Sequence, residues 1–337
     1  MTANPSTRDQ EGDQVLDIRN LTVSYKTESG YVKAVDDVSF TVNKGEILGL
    51  AGESACGKTT TALSIMRLLA PNAVVNGQIL FENKDVLQMP EDELRNFRWK
   101  GVSLIPQGSM NSLDPVIQVG KQIVEAIRAH ESVSRADAWK TTEKLLSSVS
   151  IHPTRAKNYP HEFSGGMKQR AVTAMALALN PRLVIADEPT TALDVVVQKQ
   201  LLLVLRNLQK SLGISFIFVS HDLSVIGEIA DRVAVMYAGK IVEIGRKDMV
   251  LKHPSHPYTQ ALVNSVPKVF GNRQLLESIP GSPPTGVWPE GCRFHPRCKF
   301  VFDLCRQKEP ELQLAATGCL AACHLVSKTD REEIVLK

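Results

Sequence analysis

The sequence contains no apolar run long enough to cross a membrane. Its apolar stretches, such as residues 174–179 and 213–220, fall well short of the roughly 18–20 residues that a membrane-spanning helix needs. Residues 1–14 are polar and carry no apolar core of the kind found in a signal peptide. We therefore expect the chain to stay in the cytosol and to reach a membrane only through a partner protein.

An excess of charge of one sign is also missing. The chain has 39 basic and 36 acidic residues, so its formal net charge is only +3. Charge alone therefore implies neither a nucleic acid nor an anionic membrane surface as a partner. We expect no nucleic-acid partner.

Cysteine is scarce over most of the chain, where Cys56 stands alone. Five further cysteines crowd into the C-terminal segment, and in a reducing cytosol such clustering indicates a metal site rather than disulfides. They are Cys292, Cys298, Cys305, Cys319 and Cys323.

The length of 337 residues favours one large domain with an appendage. Short apolar strands alternate with helical patterns, which is typical of a parallel α/β sheet. A helical insertion at about residues 110–175 interrupts this pattern, and a proline-rich, loop-rich segment ends the chain. The predicted strands are 16–25, 32–42, 47–51, 102–106, 183–186, 214–219 and 233–237, and the main predicted helices are 59–69, 117–129, 135–150 and 195–212.

A glycine-rich loop fits the pattern G-x-x-x-x-G-K-[ST] between a predicted strand and a predicted helix. Its glycines let the backbone wrap around phosphates, and the N-terminus of the helix attracts anions. Lys58 would add charge at the β- and γ-phosphates of ATP, while Thr59 would bind Mg²⁺. We expect Cys56 to be a small space-filler rather than a reactive thiol, although the helix N-terminus would lower the pKa of its thiol. The expected nucleotide contacts are Gly52, Ser54, Ala55, Cys56, Gly57, Lys58, Thr59 and Thr60.

Two adjacent acids, Asp187 and Glu188, end a predicted buried strand. Asp187 is placed to hold Mg²⁺, and Glu188 can act as the general base for an attacking water. Two acids at a strand end can also be merely a solvated terminus. With a phosphate loop upstream, we interpret the pair as a sign of ATP hydrolysis.

A second anion site is predicted where Ser164, Gly165 and Gly166 begin a helix. Ser164 can cap this helix, and the two glycines expose backbone amides at its positive end. One chain needs only one site for the γ-phosphate, so this segment is expected to serve a nucleotide bound to a partner subunit.

Residues 163–167 resemble the signature motif of ABC ATPases, in which Leu usually precedes the serine and Gln follows the glycines. Phe163 and Met167 depart from that pattern, but the serine and glycines that contact phosphate are present. The resemblance covers roughly residues 15–263 and implies roles for isolated residues elsewhere. It implies that Gln107 contacts Mg²⁺ or water and senses the membrane subunits, and that Asp194 couples two active sites. It also implies that His221 contacts the γ-phosphate and that Tyr25, rather than Tyr31, stacks on adenine. Mg²⁺ would be held by Thr59, Gln107 and Asp187.

The C-terminal segment is similar to the extension of oligopeptide/dipeptide importer ATPases, on the strength of residues 256–262, 279–281 and 291–298. In that family such a tail is associated with a [4Fe–4S] cluster, and the resemblance implies Cys292, Cys298, Cys305 and Cys323 as ligands. Zinc would satisfy the same ligands, although the spacing does not match the common C-x₂-C pattern. Cys319 can compete with Cys323 as the fourth ligand, and buried free cysteines remain the alternative to any metal.

Together these resemblances imply a P-loop NTPase of the ABC cassette type, with a RecA-like parallel-sheet core, an antiparallel β subdomain and a helical subdomain. The expected regions are a disordered tail at 1–14, the cassette at 15–263 and the cysteine-rich extension at 264–337. The implied function is ATP hydrolysis that drives import of dipeptides or oligopeptides. Oligosaccharide, nickel or glutathione are alternative solutes, and a soluble ABC protein or an iron–sulfur redox protein is an alternative class.

The same resemblance implies a set of partners. These are a second ATPase subunit, expected to be a paralogue, two integral membrane permeases and an extracellular or periplasmic solute-binding protein. The chain would then lie at the cytoplasmic face of the membrane as a peripheral subunit.

Overall fold

The computed structural model describes residues 14–265, 279–284 and 286–326. The chain divides into two compact units that alternate along the sequence. The first unit comprises residues 14–17, Thr41–Ile47 and Leu80–Val219, and the second comprises Ile18–Phe40, Leu48–Ile79 and the residues from Ser220 onward. The predicted tail lies outside the described residues except for Gln14, which begins the first strand.

Parallel strands form the centre of the first unit. They are β6 (Val102–Ile105), β7 (Leu183–Asp187) and β8 (Ser215–Ser220), and β7 lies between the other two. Every residue of β7 and β8 is buried, which explains their uninterrupted apolar sequences. The prediction of three parallel strands is confirmed here.

Helices make up most of the rest of the first unit. The predicted pair is confirmed as α3 (Val119–His130) and α4 (Arg135–Ser148), and α3 buries apolar residues at helical spacing. The other helices are α2 (Glu91–Lys100), α5 (Gly165–Ala176) and α6 (Val195–Leu212). The short strand β5 (Lys84–Asp85) pairs with Leu80 and Phe81.

The second unit contains the strands β1 (Gln14–Thr27), β2 (Gly30–Asn43) and β4 (Ala73–Phe81), which are adjacent in the order β2, β1, β4 over most of their length. A turn at residues 28–29 joins the first two, as the sequence predicts. The third strand was not predicted, because it buries few residues and carries a glycine at its centre.

A second sheet in this unit combines parallel and antiparallel pairs of strands. Its strand β3 (Ile47–Ala51) pairs in parallel with β9 (Arg232–Tyr237), whereas β9 pairs in antiparallel fashion with β10 (Lys240–Arg246). Two short strands of the C-terminal segment, β11 (Gln313–Leu314) and β12 (Leu320–Ala321), continue the sheet beyond β10. Part of this segment is therefore continuous with the sheet.

The helices of the second unit are short. They are α1 (Lys58–Ile65), α7 (Leu223–Ile229), α8 (Lys247–Lys252), α9 (Pro257–Asn264) and α10 (Asp303–Gln307). The first ends four residues earlier than predicted, because Arg67 adopts a left-handed conformation and the Leu68 amide bonds back to the Leu63 carbonyl. Among the described residues, no helix combines the length and apolarity that a membrane crossing requires.

Candidate functional site

The phosphate loop lies in the second unit, between the end of β3 and the start of α1. Gly52 and Gly57 have φ angles of 148° and 105°, which residues with a side chain rarely adopt. A methyl group on Gly52 would also lie 2.3 Å from the Met236 carbonyl oxygen. The two glycines are therefore required by the backbone itself. Gly57 precedes α1 and has no side chain that could cap the helix.

Lys58 is 5% exposed and its ammonium group bonds within the loop. Its Nζ donates to the carbonyl oxygens of Gly52 and Glu53, at 2.8 and 2.9 Å. The cation is thus held inside the curve of the loop, where an anion would be attracted to it.

The expectation that Cys56 is a space-filler is confirmed, whereas the lowered pKa expected from the helix N-terminus is wrong. Cys56 is 2% exposed, and burial raises the pKa of its thiol even though Lys58 is close enough to oppose that effect. The side chain is a buried space-filler rather than an accessible thiolate.

The two acids lie in the first unit, at the carboxyl end of β7. Asp187 is buried, and the Glu188 amide donates to the Val219 carbonyl at 3.0 Å. Glu188 has a φ of 46°, a left-handed conformation that a glutamate adopts only when its surroundings enforce it. The chain therefore leaves the extended conformation of β7 at Glu188.

The side chains of Gln107 and Thr191 bond to the Glu188 carboxylate. The Gln107 amide donates to Glu188 Oε2 at 3.2 Å, and the Thr191 hydroxyl donates to the same oxygen at 3.1 Å. The structure thus brings together Gln107 and Glu188, which are 81 residues apart. Thr191 was not predicted as a site residue, and its position three residues after Glu188 is the only sequence signal for this contact.

Ser164 begins α5 as the sequence predicts. Its hydroxyl accepts a hydrogen bond from the Met167 amide at 3.3 Å. Gly166 is packed against Val197 of α6, so that a methyl group there would lie 2.2 Å from Val197 Cγ1. This glycine therefore has a packing role in addition to any contact with phosphate.

The remaining predicted residues lie at ends of strands and helices. Asp194 caps α6 by accepting from the amides of Val196 and Val197, at 3.0 and 2.9 Å. His221 is exposed directly after β8, and Tyr25 is half-buried near the end of β1, whereas Tyr31 is 65% exposed. The roles proposed for these side chains stay predictions.

Four of the five clustered cysteines line one cavity in the second unit. Each of the four thiols interacts electrostatically with the other three, whereas Cys319 packs against Gly245 of β10. Burial and these neighbours raise the pKa of Cys292 to about 12 and that of Cys323 to about 11. The four are Cys292, Cys298, Cys305 and Cys323. Within the described part of the chain, no group of three or more histidines, cysteines or acids is arranged to hold a metal ion.

Two residues that contact the phosphate loop, Arg297 and Tyr258, were missed. Arg297 pairs with Glu53, and the Glu53 amide donates to the Tyr258 hydroxyl, while Tyr237 lies beside both. These contacts join residues that are more than 200 positions apart, for which a single sequence carries no local signal.

Comparison with known families gives two matches on this chain. Residues 35–191 match the ABC transporter family, and residues 242–305 match the oligopeptide/dipeptide transporter C-terminal region. The second match includes Cys292, Cys298 and Cys305.

Among curated proteins, the oligopeptide transport ATP-binding protein OppD of Haemophilus influenzae is 42% identical over 314 residues, covering 92% of this chain and 97% of that protein. The dipeptide transport ATP-binding protein DppD of Bacillus subtilis (strain 168) is 43% identical over 318 residues, covering 93% and 95%. Among solved structures, the dimeric ATP-binding cassette MJ0796 bound to ADP and Pi aligns with a TM-score of 0.62 at 25% identity, covering 69% of this chain and 98% of that one. The predicted ABC cassette fold is therefore confirmed, and the chain belongs to the ATP-binding subunits of the oligopeptide/dipeptide family of ABC transporters.

Proposed function

We propose that this chain hydrolyses ATP to drive the import of dipeptides or oligopeptides through an ABC transporter. One observation carries the hydrolytic part, namely that Glu188 is turned out of the end of β7 and its carboxylate is held by Gln107 and Thr191. A protein that only binds nucleotide has no need of a positioned base. The names of the relatives support the choice of peptides.

The phosphate loop would bind the ATP phosphates through its amides and Lys58. Thr59, Asp187 and Gln107 would hold Mg²⁺, whose charge would offset that of the β- and γ-oxygens. These are oxygen ligands, and the buried position of Asp187 suits a residue that faces a bound cation. Glu188 would accept the proton of the attacking water, and Tyr25 would stack on the adenine ring.

A second cassette is needed in this proposal. The amides of Gly165 and Gly166, with Ser164, would contact the γ-phosphate of the ATP bound to the partner. His221 would contact the γ-phosphate of the ATP bound to its own subunit. The alignment with a dimeric cassette supports this arrangement. We propose a paralogous partner, two membrane permeases contacted near Gln107 and a solute-binding protein, with the chain peripheral at the cytoplasmic face.

We also propose that Cys292, Cys298, Cys305 and Cys323 hold an iron–sulfur cluster. All four thiols lie within electrostatic reach of one another, and burial raises the pKa of Cys292, Cys298 and Cys323, whose thiolates would be stabilised by a bound cation. Thiolates bind iron–sulfur clusters and zinc alike, but the spacing of these four cysteines does not match the common C-x₂-C zinc pattern. The cluster would hold this loop-rich segment together.

Substitution of the proposed base tests the hydrolytic function. In the assembled complex, Glu188→Gln should lower the rate of ATP hydrolysis by about 10²–10⁴-fold, which is the usual range for a general base. ATP binding should persist, since the amide has the same shape. Glu131→Gln, an exposed glutamate at the end of α3, is the matched control. Normal turnover by the Glu188 variant would refute the assignment.

The solute is tested with the complex reconstituted in vesicles together with its solute-binding protein. We expect short peptides to stimulate ATP hydrolysis and oligosaccharides to have no effect. Stimulation by oligosaccharides alone would retain the mechanism and overturn the substrate. Stimulation by nickel or glutathione alone would likewise retain the mechanism and overturn the substrate. Hydrolysis of ATP without any solute serves as the control that the complex is intact.

The cluster is tested on the anaerobically purified chain by iron content and visible absorbance. Cys323→Ser should lose both signals, whereas Cys319→Ser should keep them, because Cys319 does not line the cavity. The opposite pattern would assign the fourth ligand to Cys319. Zinc in place of iron in the unsubstituted chain would overturn the cluster.

A further inference from the structure

The short loop between Cys292 and Cys298 carries an arginine that reaches the phosphate loop. The side chain of Arg297 is 5% exposed. Its Nη1 lies 2.7 Å from Glu53 Oε2 and its Nη2 lies 3.1 Å from Glu53 Oε1. This two-point contact fixes the orientation of both groups, which a single charge contact does not.

The other N–H groups of Arg297 are also engaged. Nε donates to the Pro280 carbonyl at 2.8 Å, Nη2 to the Gly281 carbonyl at 3.3 Å, and Nη1 to the Tyr237 hydroxyl at 3.4 Å. With the two bonds to Glu53, these make five contacts for the five N–H donors of a guanidinium group. The C-terminal segment therefore fixes the orientation of the Arg297 guanidinium group, which in turn holds the Glu53 carboxylate.

Glu53 links this arginine to the residues that bind phosphate. Its carbonyl accepts from Lys58 Nζ at 2.9 Å, and its amide donates to the Tyr258 hydroxyl at 2.9 Å. Its carboxylate also places a negative charge in the loop that is proposed to bind the negatively charged phosphates of ATP. Arg297 neutralises that carboxylate, so the pair removes a repulsion as well as fixing the backbone.

A second arginine of the same short loop makes a parallel contact. Arg293 donates to the Ala238 carbonyl at 2.6 Å and pairs with Asp36. The next residue, Gly239, donates its amide to the carbonyl of Cys56 in the phosphate loop at 2.9 Å. The segment between the two cysteines thus supports the phosphate loop at both ends.

From these contacts we propose that Arg297 is a positioning residue for ATP binding, through which the cysteine-bearing loop sets the affinity of the phosphate loop for nucleotide. The proposal rests on the proposed function, since it assumes that residues 52–59 bind ATP. It assigns the C-terminal segment a role within its own subunit's nucleotide site. Arg297 itself is not expected to touch the nucleotide.

The test is the dissociation constant for Mg·ATP of the full-length chain, measured by titration calorimetry. Arg297→Gln should raise this constant about tenfold or more, because it leaves Glu53 as an uncompensated, partly buried carboxylate beside the phosphates. The dissociation constant of Arg297→Lys should lie between those of the unsubstituted chain and Arg297→Gln, since an ammonium group keeps the charge but cannot make the two-point contact. Arg306→Gln, an exposed arginine of the same segment, is the matched control and should leave the constant unchanged.

A second substitution separates positioning from general stability. In the Arg297→Gln background, Glu53→Gln should recover most of the lost affinity, because the unpaired charge is gone, although the stability of the segment stays reduced. Thermal unfolding of each variant without nucleotide gives the stability change independently.

Each outcome has a distinct meaning. No ATP binding by the unsubstituted chain would overturn the proposed function itself. Normal binding by that chain and by Arg297→Gln would overturn only the positioning role. The positioning role would also be overturned if Arg297→Gln lost affinity for ATP and the added Glu53→Gln substitution did not restore it. Where Arg297→Gln fails to fold, the Arg297→Lys variant decides the question, and an unchanged constant would refute the proposal.

Discussion

The contact between Gly166 and Val197 makes a defined prediction about α5. Gly166→Ala places a methyl group 2.2 Å from Val197 Cγ1, well inside any tolerable contact. Valine has little freedom to rotate away within a helix, because its branched side chain strongly prefers one rotamer there. We therefore expect the first turn of α5 to be displaced from α6.

The expected magnitude follows from two opposing effects. Overpacking of this kind costs about 1–3 kcal/mol. Replacing glycine by alanine in a helix gains up to about 1 kcal/mol. The variant should therefore be less stable by about 1 kcal/mol. In a Val197→Ala background the clash is absent, so the same substitution should become neutral or mildly stabilising, a coupling of about 1–3 kcal/mol.

Urea unfolding of the single and double variants measures this coupling. Val195→Ala provides the matched control, because Val195 lies on the same helix but is 67% exposed. Its effect should add to that of Gly166→Ala without coupling. Additive behaviour of the Gly166 and Val197 substitutions would refute the packing role.

The same double variant separates packing from phosphate binding. Gly166→Ala with Val197→Ala restores the fold but leaves a methyl group at the start of α5. If the amides there approach a partner's ATP, as proposed, hydrolysis by the assembled dimer should remain well below that of Val197→Ala alone. Full recovery of hydrolysis would limit Gly166 to its packing role.

Three further predictions concern residues of the site. Ser164→Asp should preserve the helix cap and so change the thermal midpoint little, but should abolish hydrolysis by the dimer, because a carboxylate repels the γ-phosphate; unchanged activity would contradict the contact. Gly52→Ala should abolish Mg·ATP binding in calorimetry and cost at least about 2 kcal/mol in urea unfolding, since the methyl group would meet the Met236 carbonyl. Thr191→Val should lower the maximal hydrolysis rate about five- to tenfold without weakening ATP binding, because one bond to Glu188 is lost. Thr191→Ser keeps the hydroxyl group and should therefore hydrolyse ATP at the normal rate.

The parts of the site that sequence could predict are local ones. The phosphate loop, the cap at Ser164 and the acids at the end of β7 each depend on residues within a few positions, so the pattern contains the whole interaction. The buried parallel strands were predicted for the same reason, since their apolar runs are continuous, whereas the antiparallel strand β10 was missed. In contrast, α2 buries only Leu94 and Phe97, and this weak pattern gave no prediction.

Contacts between distant residues could not be predicted from one sequence. Neither the pairing of Glu53 with Arg297 nor the bond of Gln107 to Glu188 has a periodicity or spacing that identifies it. The raised pKa of Cys56 was missed because burial, rather than the nearby helix end, dominates, and burial depends on the tertiary fold.

Several motif residues make bonds that hold their own chain together. The Ser164 hydroxyl caps α5, the Asp194 carboxylate caps α6, and Lys58 bonds to two carbonyls of its own loop. A lost activity after substituting any of them with alanine therefore does not distinguish a lost phosphate contact from a displaced helix or loop. Substitutions that retain the internal bond while changing the charge, such as Ser164→Asp, are needed to assign the chemistry, because only they leave the backbone in place.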